Sequence, residues 1–195
     1  MLSSSFVRGS GLVNVVAGIL AIVGAVIHPA TEDPVGVLNI AWVPAHVLLW
    51  VAFTLALLGW IGLHARQSEK AGSLGVVGFA LLFIGNVAVT GILFDAATVE
   101  PFIASSAPNL LEAIGGSLLP VFLVIIVVFG IGGILFGAAV IRARVLSRAG
   151  GLLLLAGSLF MLVTVAMPEK VFDAAVVVFA LGQVWLGRSV WSAGR

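Results

Sequence analysis

The chain has 195 residues, 62% of them hydrophobic and 9% charged, with no cysteine and no tyrosine. A soluble domain carries roughly 25% charged residues, so the composition excludes a fold bathed in water. The missing cysteines exclude disulfides, thiolate metal sites, iron–sulfur clusters and cysteine nucleophiles; the net charge of +1 is uninformative, being a sum over two faces, but no basic run suggests nucleic acid.

With lipid as solvent, backbone groups must pair internally, which leaves helices or closed barrels. Barrel strands alternate apolar and polar residues over about ten positions. Here the apolar runs are continuous and roughly twenty residues long, which predicts an all-α polytopic membrane protein. Six spans fit, at about 9–28, 40–64, 72–95, 118–141, 150–167 and 171–191, in a single transmembrane domain covering 1–195.

Span one follows Arg8 and closes at His28-Pro29. Its apolar stretch is longer than a signal-peptide core and no A-x-A site follows, so it is expected to be a retained helix. Span two opens with Trp42-Val43-Pro44-Ala45-His46. Pro44 falls in the first turn, where a missing N–H is harmless, and Trp50 lies one turn from His46 on the same face. Arg66 and Lys70 separate span two from span three, which carries Gly78, Gly85, Asn86 and Thr90 and ends at Asp95.

The longest connection runs from about Ala96 to Ser117 and contains Pro101, Pro108 and Glu112. Residues 108–112 predict a short interfacial helix capping the bundle. In span four, Gly133 and Gly137 form a GxxxG step, expected to be an intramolecular seam because small residues permit close helix approach in lipid. Arg142, Arg144 and Arg148 precede span five, Lys170 precedes span six, and Arg188 and Arg195 close the chain.

If every segment spans, eight of the nine basic residues fall on one side and seven of the eight acids on the other; Lys170 and Glu69 are the exceptions. The positive-inside rule then puts both termini in the cytoplasm. Trp60, Trp185 and Trp191 are expected at the inner interface and Trp42 at the outer one. Odd segments open with a basic residue and small residues, and even segments close with glycines and arginine, a weak repeat of three hairpins in one orientation.

Of the three histidines, His46 and His64 are 18 residues apart, roughly 27 Å along a helix, so they cannot share a site. His28 and His46 both lie in the outer half and are able to converge. Such a pair would ligate a b-type haem, or bind a divalent metal or proton together with Asp95 and Glu112. The candidate cofactor-binding residues are His28, His46 and Trp50; the candidate metal ligands are His28, His46, Asp95 and Glu112. Ordinary interfacial packing accounts for the same residues. His28 at a helix end and His46 within a helix differ in depth, which counts against haem. The absence of an ionisable group at mid-membrane argues against a pump or proton-coupled carrier. No nucleophile elbow, Walker loop, dinucleotide fingerprint or HExxH is present, so no catalytic residue is assigned.

His28-Pro29, Trp42-x-Pro44-x-His46 and Gly59-Trp60-Ile61-Gly62-Leu63-His64-Ala65-Arg66 together resemble a group of uncharacterised six-span bacterial integral membrane proteins. The resemblance covers chiefly the first hundred residues. It implies six spans in a prokaryotic inner membrane and supplies no catalytic residue. Three functions stand open. One is a non-catalytic component, either an accessory subunit or a module binding lipid, quinone or another apolar ligand near the outer leaflet. The others are a haem or metal protein using the outer histidines and a carrier of a small neutral or apolar solute. The expected partners are the lipid bilayer and other membrane subunits or further copies of the chain.

Overall fold

The computed structural model describes residues 3–192. Among them the protein is all-helical: α1 (Ser4–Ile27), α2 (Pro34–Val37), α3 (Trp42–Thr98), α4 (Glu100–Ser106), α5 (Pro108–Ala143), α6 (Arg148–Thr164) and α7 (Glu169–Ser192). Four stretches are long and apolar enough to cross a membrane: α1, α3 with α4, α5 and α7; α6 is shorter, at 17 residues.

The 57-residue helix α3 is bent at one point, Gly72, where φ is 59° and ψ is −161°. That backbone conformation is open essentially to glycine alone. The arms on either side, residues 42–71 and 73–98, fold back on each other. His64 stacks on Phe79 at 4.4 Å, and Asn86 reaches back to the carbonyl of Phe53. Residues 65–71, expected as a loop, are helical up to the bend, because Ala65-Arg66-Gln67-Ser68-Glu69-Lys70-Ala71 consists largely of good helix formers.

Six helical segments therefore alternate in direction and close into a ring. The small residues mark each seam. Along α1, Gly11 faces Gly187 and Gly18 faces Val184 of α7, while Gly24, Asn14 and Ser10 face Leu49, Gly59 and Gly62 of the first arm of α3. Gly78 and Gly85 of the second arm lie against Phe136 and Phe129 of α5. Gly133 and Gly137 meet Ser158 and Gly151 of α6, so the GxxxG step is an internal seam; Gly157 and Gly182 join α6 to α7. Without water to drive helices together, backbone approach at small residues supplies the dispersion contact.

The ring encloses a plug of Phe53, Trp60, Phe129, Phe136 and Phe179, with ring centroids 5.1 to 6.1 Å apart. Trp60, expected at an interface, is fully buried here and donates its indole N–H to Asn86 Oδ1 at 3.1 Å. A buried indole needs a hydrogen-bond acceptor, and Asn86 supplies it from the opposite arm. Trp42, expected at the outer interface, is likewise buried at 1% exposure, whereas Trp185 is exposed.

The segment expected as a separate interfacial helix at 108–112 is instead the start of α5, which runs unbroken through Pro120 to Ala143. The short helix of that connection is α4. Together α2, α4 and the first turns of α5 cap one end of the ring, where Val37, Ala104 and Leu111 pack on Trp42 and Ala96.

Candidate functional site at the capped end

α1 ends at Ile27 because Pro29 disfavours helical backbone at His28, whose φ and ψ are −55° and 138°. The turn places the His28 ring in the bundle, 6% exposed. α3 begins at Trp42, and one turn later His46 carries its ring under the Trp42 indole, with centroids 4.1 Å apart. The His28 ring meets His46 edge-on at 4.9 Å and Trp42 at 5.5 Å. His28 and His46, whose convergence the sequence left open, meet here with Trp42 as the third ring.

Two further residues complete the cluster, both from the first turns of α7. Asp173 places Oδ1 3.4 Å from His28 Nδ1, an ion-pair distance without a formed hydrogen bond. Lys170 pairs with Asp173 Oδ2 at 3.1 Å and also donates to the backbone carbonyl of His28. The last carbonyls of a helix lack intrahelical partners and carry the negative end of its dipole. Lys170, the one basic residue at this end, satisfies one of them. Trp42 donates its indole N–H to the Ala96 carbonyl at 2.8 Å. The cluster thus ties α1, both arms of α3 and α7 together at one point.

His46 Nδ1 lies 3.0 Å from the Trp42 carbonyl. A carbonyl only accepts, so the contact calls for hydrogen on Nδ1 and leaves Nε2 as the basic nitrogen. Acids gather at the rim above. Glu32 in the turn after α1 and Glu169 at the head of α7 approach each other near His28. On α4, burial pushes the Glu100 carboxyl up to about 7, with Asp95 adding to the rise.

The other expected site residues lie apart from this cluster. Trp50 packs on Phe94 at 5.4 Å. Asp95 is exposed beside Glu100, and Glu112 is exposed on α5. Among the described residues no group of three or more His, Asp or Glu side chains is arranged to hold a metal ion. The two imidazoles touch edge to face, which leaves no gap between them for a porphyrin. The chemistry on offer is that of a buried imidazole pair, one ring beside a carboxylate, sealed by an indole.

Sequence reasoning missed Asp173 and Lys170. A signal was there: Lys170 is the lone cation on the acidic side and stands three residues from Asp173, one helical turn away. Comparison with protein-family models, with curated proteins and with solved structures finds no match for this chain.

Proposed function

We propose that the protein is a non-catalytic component of a prokaryotic inner membrane with six spans and both termini cytoplasmic. It serves as an accessory subunit or as a module that takes lipid, quinone or another apolar ligand near the outer leaflet. Each arm of α3 counts as one span, and α6 crosses with 17 residues, at the short end of what a bilayer requires. The alternation of six segments collects Arg8, Arg66, Lys70, Arg142, Arg144, Arg148 and Arg188 at one end, as the positive-inside rule requires of a cytoplasmic face.

The observation that carries the non-catalytic reading is the aromatic plug: Trp60, Phe129, Phe136 and Phe179 fill the axis, which leaves the His28–His46 cluster at the capped end without a passage through the bundle. The same plug counts against a carrier, which needs a path through the bundle. At the capped end, His28, His46 and Trp42 offer a polar anchor for the headgroup of an apolar ligand, and α2 and α4 lie over it. A second reading, a divalent metal or haem site, rests only on the meeting of His28 and His46 beside Asp173, and the edge-to-face contact of the two rings counts against haem.

One preparation tests both. The full chain is purified from its membrane in mild detergent, and its absorption spectrum, metal content, bound lipids and partner subunits are measured. The expected result is retention of an apolar ligand or of partner chains, without a chromophore or stoichiometric metal. A Soret band or one equivalent of metal, lost in His46→Ala, would overturn the reading in favour of the second. Topology is read separately by impermeant maleimide on intact cells, since the chain has no cysteine of its own. Ser105→Cys should label and Ser68→Cys should not; the reverse pattern refutes the orientation.

A further inference from the structure

The arginine-rich end of the ring holds a pocket of about 260 Å³ lined by Arg66, Gln67, Glu69, Lys70 and Val145. It lies where the bend of α3 meets the turn between α5 and α6. Topology accounts for cations at this end, but it does not account for Gln67. That side chain is 1% exposed, and neither its amide oxygen nor its amide nitrogen has a hydrogen-bond partner. A buried amide left wholly unpaired is rare in a native protein and points to a group that completes it. Arg66 and Lys70 are exposed and form no ion pair among the described residues, so the pocket presents two free cations against one acid, Glu69.

The apolar residue lining the pocket is Val145, which joins it to a small core cluster. Ala71, Ala139 and Ala143 form a small cluster on which Leu74 and Val145 pack. A ligand here meets guanidinium, ammonium and amide together with the Val145 side chain. We propose that this pocket binds a phosphate group, and that the group belongs to the headgroup of an anionic phospholipid. Arg66 supplies a fork of N–H donors matched to phosphate oxygens, Lys70 adds a second positive charge, and the Gln67 amide gains its missing partner. Val145 accepts the glycerol carbons beside the headgroup. Basic pockets between helices on the cytoplasmic side are the usual setting for such headgroups. The lipid source rests on the six-span orientation proposed above, because only that orientation sets this end at the inner leaflet. Phosphate binding in detergent does not depend on it, and the maleimide experiment reads orientation independently.

The test is native mass spectrometry of the full chain in neutral detergent. Phosphatidylglycerol and phosphatidylcholine of matched acyl chains are offered together, and inorganic phosphate is offered separately. Two cations near a headgroup should favour phosphatidylglycerol by roughly ten- to thirty-fold. Arg66→Gln with Lys70→Gln should abolish that preference, Gln67→Leu should lower it, and Arg188→Gln, on the far side of the same end, should leave it intact. Uptake of inorganic phosphate with the same variant dependence, but no lipid preference, would keep the phosphate site and assign its source to solution. Equal retention of both lipids by the unaltered chain with no phosphate uptake would overturn the proposal, and this comparison holds even if a variant fails to fold. An equal loss in Arg188→Gln would also overturn it, by reducing the effect to the general field of the basic face.

Discussion

Asp173 faces two basic partners at once, the Lys170 ammonium and the His28 ring, and its own side chain is only 11% exposed. Removing one member of a buried charged group leaves the others unpaired, and this penalty exceeds the gain the pair had provided. Asp173→Ala should therefore destabilise the protein by about 2–3 kcal/mol in detergent unfolding. Lys170→Met, at a half-exposed side chain, should have a smaller effect; equal losses would mean that His28 draws nothing from Asp173. Glu100 gives a pH dependence of known sign. Its carboxyl titrates near 7 in the fold against 4.5 unfolded, so the folded state holds the proton more tightly. The stability it contributes is complete at low pH and is lost as pH rises through this window. Melting temperature should thus fall from about pH 5 to about pH 8, and Glu100→Gln should flatten that part of the profile. A variant whose profile matches the unaltered chain would refute the assignment.

Helix contacts here depend on where a Cβ is absent. A methyl at Gly132 would run into the backbone of Leu81 and Leu82, whereas one at Gly91 would meet nothing within 4 Å. Backbone cannot step aside as a flexible side chain can, so Gly132→Ala should cost about 1–3 kcal/mol by forcing α5 off the second arm of α3. Gly91→Ala lies in a helix interior with open space and should stabilise by up to about 1 kcal/mol. Steric-trap or detergent unfolding of the two variants side by side checks both signs. Polar side chains follow a different rule. Asn14 and Asn86 donate across a seam to the carbonyls of Gln183 and Phe53, but Thr54, Thr90, Ser158 and Thr164 turn back to the carbonyl one turn earlier in their own helix. A hydroxyl is short enough to be satisfied within its helix; an amide reaches the neighbour.

On the scale of the molecule, the two ends differ in kind. One end carries a cap, a sealed ring cluster and most of the acids; the other carries the arginines, the bend at Gly72 and the turn at Arg144, whose φ of 55° is left-handed without being glycine. If the charge difference orients the chain, then replacing Arg142, Arg144 and Arg148 together by Glu should disturb insertion of α5 and α6. Reporter tags on either side of that turn should report mixed orientation. Unchanged tags and unchanged expression would sever the link between those arginines and topology.

Apolar run length and the absence of strand alternation determined the all-helical architecture from sequence alone, because the solvent leaves the backbone no other way to pair. That His28 and His46 could meet was legible from two facts, their shared half of the pattern and their sequential helices, but whether they do was not. Tertiary structure decided the rest. Trp60 could have faced an interface or the axis, and only the position of Asn86, 26 residues on, drew it inward. The partners of His28 come from α7, at the far end of the chain, since closing the ring makes the first and last helices neighbours. Asp95 and Glu112 matched the sequence pattern equally well but face outward. Periodicity and charge are local quantities that each segment carries with it; which segments touch is set by the fit of glycine seams, and no single segment encodes that.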